Sequence, residues 1–164
     1  VEHFLVHSST PLAAAIAADN IDSSYVQMLI NDGYVGEFSD MIGAPALGKG
    51  FQVWLEKAPG FNSDKVRSPL RLETDTGGPL ATLSHWELYS GLKRLQKPVE
   101  LYVIPDSRYA DHPPQIPAQK LASAGGTVDW MDFWLNGHED PSAAKAEQYR
   151  RWRALRELLP STSD

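Results

Sequence analysis

The chain has 164 residues, of which 42% are apolar and 22% charged, with a net charge of −6 and no cysteine. That balance is the mark of one folded globular domain and excludes a disordered chain. The acidic charge excludes a binder of the nucleic-acid backbone, which needs a basic stripe, and the lack of cysteine excludes disulfides and thiolate metal sites while leaving the compartment open.

No apolar run approaches the roughly 20 residues of a membrane span, so no membrane partner is expected. The N-terminus, VEHFLVH, has no initiator methionine, basic leader or long apolar stretch. It reads as the middle of a longer chain. Phe4, Leu5 and Val6 are expected to close a helix before the HSSTP break, because Pro11 disfavours helix in the residue ahead of it. LAAAIAAD, 12 to 19, follows as a short buried strand, with helix as the alternative that its alanines allow.

Segments 23 to 31 and 34 to 42 have helical spacing, the first with Tyr25, Val26, Leu29 and Ile30 on one apolar face. After the IGAPALGKG link comes a short helix holding Phe51, Val53, Trp54 and Leu55, then turn chemistry in PGFNSDKV. SPLRLET, 68 to 74, is the second strand. Beyond DTGGP, Leu83, Trp86, Leu88, Tyr89, Leu92 and Leu95 recur at threes and fours, and Lys97-Pro98 ends that helix before the third strand, 99 to 104. Strand, helix and strand with a crossover of this length predict a parallel sheet, so the fold class is α/β, a mostly parallel sheet flanked by helices.

QKLASAGGTVDWMDFWLNG is the next predicted helix, with Leu121, Val128, Met131, Phe133, Trp134 and Leu135 inward and Gly137 as its stop. Gly125-Gly126 weakens it and predicts a break or a close approach there. The last helix, about 142 to 159, carries a Tyr149, Trp152, Leu155 and Leu159 stripe opposite its arginines. Trp130, Phe133, Trp134 and Trp152 are expected to form core between these two helices.

In an open parallel sheet, ligands and reactive side chains gather at the carboxyl ends of the strands. Two such loops are visible: ETDTGGP, with Glu73 and Asp75, and VIPDSRYADHPPQIP, with His112. An acid on one strand end and a histidine on the next are what a hydrolase with a Ser, Asp/Glu, His chain order supplies. On spacing alone, a surface histidine and a turn aspartate explain the pair better. The G-x-S-x-G elbow of that class is absent, and Ser8, Ser9 and Ser39 read as capping or surface serines. His85 reads as a helix histidine and His138 as a polar helix end. His3 and His7 share i, i+4 spacing without the H-E-x-x-H form or a third ligand, so no metal site is expected.

SPLRLETDTGGPLATLSHWELYSGLKRLQKPVELYVIPD, then His112 with Pro117 five residues on, then LASAGGTVDWMDFWLNGHEDPSAAKAEQYRRWRALREL, resembles the C-terminal part of the prolyl-oligopeptidase-like serine peptidases. Within them it is similar to the branch of dipeptidyl-peptidase-like and lasso-peptide isopeptidase-like enzymes. The resemblance implies the C-terminal half of an α/β-hydrolase catalytic domain over residues 1 to 164, with the nucleophilic serine and earlier strands upstream of Val1. It implies that His112 is the general base, that Asp75, or else Glu87 or Glu73, is the acid, and that the substrate is a peptide. It implies no cofactor. The missing N-terminal part, in some relatives a β-propeller, becomes a partner of this segment. The histidine loop departs from the family pattern: SRYAD delays the histidine and leaves Tyr109 where it more often stands. Rival expectations are therefore a non-catalytic peptide-binding domain and an inactive truncated fragment.

Overall fold

A computed structural model describes residues 1–18, 24–75, 79–104 and 116–159. Helix α1, Glu2–His7, ends where Ser8 turns extended, and strand β1 is Ala15–Ala18. Helices α2, Tyr25–Ile30, α3, Val35–Ile42, and α4, Phe51–Lys57, follow, and a 3-10 segment, Pro59–Lys65, leads to strand β2, Leu70–Asp75. Then come α5, Pro79–Arg94, β3, Val99–Ile104, α6, Pro117–Asn136, and α7, Ala146–Arg156.

The three strands form one parallel sheet in the order β1-β2-β3. Ala15 stands beside Leu70 and Leu70 beside Val99, and the second register runs on to Asp75 beside Ile104. Parallel neighbours need a crossover, and α5 is the one between β2 and β3. Alternation along β2 sends its side chains to two different layers. Leu70 and Leu72 join Leu5, Val6, Leu88, Leu92 and Val99 in the core under α1 and α5. Arg71 lies on the other side, toward α6, where Trp130, Phe133, Tyr149 and Trp152 form a second core with Ala14. Removing each such ring from water is worth about 1.5–3 kcal/mol, and the T-shaped Trp130–Trp152 pair, 5.2 Å between centroids, adds geometric preference. Trp130 Nε1 also donates to the Ala15 carbonyl at 3.1 Å, tying α6 to β1.

A third core, Met28, Phe38, Ile42, Ala46, Trp54 and Ala58, holds α2, α3 and α4 together. Tyr25 packs there against Phe51, Trp54 and Phe61, and Trp54 Nε1 donates to the Ala44 carbonyl at 2.8 Å.

Three expected apolar faces are corrected. In α2 the buried residues are Gln27 and Met28, while Leu29 and Ile30 are exposed. In α5, Leu83 and Trp86 are exposed, as is Leu95 just beyond it, and the inward face is Ala81, Ser84, His85, Leu88 and Leu92. In α6, Leu121, Val128 and Leu135 are exposed, lying half a turn from the buried Gly126, Trp130 and Phe133. Each helix carries apolar residues on more than one side, so periodicity alone does not choose the packed side. The paired glycines do not break α6. Gly126 is a close approach, since a Cβ there would sit 2.5 Å from Arg71 Nη2. Gly137 stops the helix in the left-handed region, φ 68°, with the N–H groups of Gly137 and His138 closing on the Phe133 and Asp132 carbonyls.

Candidate functional site

The carboxyl edge of the sheet is where β2 ends at Asp75 and β3 ends at Ile104, side by side. Asp75 is therefore at the strand end expected of it. The side chain of Asp75, and all of Tyr109 and His112, lie outside the described residues. The last described residue before the histidine segment, Ile104, is the register partner of Asp75, so the two loops leave from neighbouring strand ends.

Glu87 is held elsewhere. Its carboxylate accepts from Ser24 Oγ at 2.6 Å and from the Val26 N–H at 2.9 Å, with a longer contact from the Tyr25 N–H at 3.4 Å. Ser24 is the N-cap of α2, its hydroxyl also accepting from the Gln27 N–H. Glu87 thus places a carboxylate on the orphan amide groups of a helix start. Gly60 makes room for it: a Cβ at that position would lie 2.0 Å from Glu87 Oε1.

Glu73 is 4% exposed and faces Arg71, Oε2 to Nη2 at 3.5 Å. Arg71, itself 2% exposed, also bonds Glu100 through Nη1 and lies 4.5 Å from the centre of the Tyr102 ring. Glu100 accepts in turn from Trp152 Nε1 at 2.8 Å and from Arg151 at 3.4 Å. This buried ionic cluster joins β2, β3 and α7 beneath α6, and sequence reasoning missed it. Its one signal is charge inside strand patterns: Arg71 and Glu73 in LRLET, Glu100 in VELYVI.

The other singled-out residues have local partners. His85 is fully buried with Nδ1 2.8 Å from the Ala81 carbonyl, and His138 Nδ1 is 2.6 Å from Asp132. His7 Nε2 is 3.0 Å from the Lys57 carbonyl, while the side chain of His3 falls outside the described residues. Ser8 Oγ makes a turn with Thr10, and Ser39 Oγ bonds the Val35 carbonyl one helical turn back.

Parallel strands with helices on both faces, together with the structural match given below, make this part of an α/β-hydrolase-type fold. Comparison with known proteins agrees. No family model matches the chain. The chain is homologous to the lasso peptide isopeptidase AtxE2 of Asticcacaulis excentricus, 29% identical over 157 residues, which are 95% of this chain and 22% of that protein. A solved structure of an AtxE2 serine-to-alanine variant with Astexin3-dC4 bound superposes with a TM-score of 0.75 at 29% identity, covering 95% of this chain and 23% of the other. The structure of AtxE2 without ligand gives 0.76 at 28% identity over 96% and 23%. The chain thus spans under a quarter of the length of these relatives, and the resemblance to prolyl-oligopeptidase-like peptidases is borne out as homology.

Proposed function

We propose that the longer protein to which this chain corresponds is a serine peptidase of the isopeptidase kind, and that residues 1 to 164 supply the C-terminal half of its catalytic domain. The observation that carries this is the homology to AtxE2 combined with two loops, one starting from Asp75 and one leading to His112, that leave adjacent strand ends. A serine upstream of Val1 attacks the substrate carbonyl, His112 takes its proton and returns it to the leaving amine, and Asp75 holds the imidazole in the required tautomer. Backbone N–H groups near the serine stabilise the oxyanion. The substrate is a peptide, in keeping with the relative solved as a serine-to-alanine variant with Astexin3-dC4 bound.

Asp75 is the acid in this reading because Glu87 is about 12 Å along α5 from the helix start, at 1.5 Å per residue, with its carboxylate engaged at α2. Earlier strands pair with β1. Ala15 donates to the Pro69 carbonyl, so alternation turns the backbone groups of Ile16 and Ala18 away from β2, and among the described residues no strand meets them.

The test uses the full-length protein with a fluorophosphonate probe and a peptide substrate. His112→Ala and Asp75→Asn are expected to abolish or sharply lower turnover with the thermal transition unchanged, whereas Glu87→Gln is expected to keep it. Full turnover by His112→Ala sinks the assignment, and a protein that binds peptide but ignores the probe is a binding module instead.

A further inference from the structure

We infer that the outer edge of β3, on which no described strand pairs, is a docking site for an extended acidic peptide segment, separate from the carboxyl end of the sheet. Leu70 donates to the Pro98 carbonyl at 3.0 Å. Parallel pairing then points Glu100, Tyr102 and Ile104 toward β2 and turns the N–H and C=O groups of Val99, Leu101 and Val103 outward. Among the described residues no strand pairs with that side. Val99 is only 2% exposed, which closes the edge at its beginning, but Leu101 is half-buried and Val103 is 37% exposed. Among the described residues, Leu101 and Val103 therefore offer two donors and two acceptors to an added strand.

The edge is not flat against solvent. From Val99 to Tyr102 it forms the floor of a groove of about 460 Å³ with Tyr89 and Lys93 of α5 on one wall and Arg150, Arg151, Ala154 and Leu155 of α7 on the other, and Val103 is the next residue along the strand. That volume is in the range of peptide-sized and ligand-sized clefts. Lysine and arginine beside an edge strand commonly guard it against pairing. A guard covers the edge; here the cations stand on the walls and leave the floor open.

Charge selects the occupant. The chain as a whole is at −6, yet the groove is lined by three cations and one acid, Glu100, which is shared among Arg71, Arg151 and Trp152. Arg150 and Arg151 share Glu147, Arg151 also pairs with Glu100 at 3.4 Å, and Lys93 has no ion pair among the described residues, which makes Lys93 the cation most available to a ligand. A second copy paired antiparallel on the same edge would bring Lys93, Arg150 and Arg151 against their own kind, and like charges across strands are unfavourable. An extended segment alternating acidic and small apolar residues meets the arginines with its acids and Ala154 and Leu155 with its apolar side. Main-chain bonds supply the affinity and the walls the selectivity.

The experiment is fluorescence anisotropy on the full-length protein with a labelled peptide of three Glu-Val repeats, blocked at both ends, and a Lys-Val counterpart. The acidic peptide is expected to bind, to weaken several-fold when salt rises from about 0.05 to about 0.5 M, and to weaken about tenfold on Lys93→Glu. Val103→Pro removes one outward donor without touching the β2 ladder and is expected to weaken it further, and the acidic peptide N-methylated on alternate residues is expected not to bind, which needs no protein variant. The inference is overturned by no binding up to about 1 mM, by equal binding of the Lys-Val peptide, by undiminished binding of the N-methylated peptide, or by self-association of the protein that Val103→Pro dissolves.

Discussion

Replacing Arg71 by Met keeps most of the side-chain length and removes the one cation shared by Glu73 and Glu100. The guanidinium is 2% exposed, Glu73 4%, and Glu100 has a side chain 10% exposed. Breaking a buried pair by deleting one partner leaves an uncompensated charge and costs about 3–5 kcal/mol. Here two carboxylates lose it, though Glu100 keeps Trp152 Nε1 and Arg151, so the Glu73 side should bear most of the loss. Gly126 packs directly on Arg71 Nη2, so the loss should also loosen α6. The cost is expected in the middle of that range, read from the urea midpoint of the transition that unfolds this sheet. The variant R71M/E73Q/E100Q, neutral throughout and with an acceptor kept for Trp152, is expected to recover more than half of it. A single variant within about 1 kcal/mol of the parent, too small for a buried pair, or a triple variant no better than the single, refutes the reasoning.

Glu87→Ala removes the acceptor for Ser24 Oγ and the Val26 N–H; it should cost about 0.5–2 kcal/mol, the range of a lost helix cap, with the loss showing as faster amide exchange in α2. Gly126→Ala places a methyl 2.5 Å from Arg71 Nη2, so it should destabilise despite alanine's better helix propensity, whereas Gly125→Ala, with nothing within 4 Å, should stabilise; paired thermal melts distinguish the two. Asp132, through its bond from Asn136, and Asp140, through its bond from Lys145, are held below the ordinary aspartate pKa. A depressed folded pKa means that their stabilisation is present above the unfolded value and is lost as pH falls through the folded one. Asp140→Asn should accordingly flatten the acid limb of the stability curve below about pH 4, and an unchanged limb would remove Asp140 from that account.

The sequence by itself determined the elements whose signals are local. VELYVI between Pro98 and Pro105 is β3 from first residue to last, the crossover helix expected after DTGGP begins one residue earlier, at its Pro79, and Gly137 stops α6. Proline and glycine act through their own dihedral limits and need no distant partner. The parallel sheet followed from strand, helix and strand, and the aromatic set Trp130, Phe133 and Trp152 proved to be core. For the candidate site, chain order put Asp75 and Ile104, after which the segment carrying His112 begins, at neighbouring strand ends, which is a property of connection rather than of contact.

Only the tertiary structure decided which face of α2, α5 and α6 turns inward, because those helices offer more than one apolar side and the sheet selects among them. It alone placed Glu87 against Ser24, 63 residues away in sequence, and Trp130 against Ala15, 115 residues away. The same holds for Arg71. A charged residue in a strand pattern reads as solvent-facing until α6 closes over it, and Gly126 is the glycine it is because the guanidinium occupies the space where a side chain would be. Local propensity is written residue by residue, whereas the burial of a charge depends on partners that meet only when the layers pack.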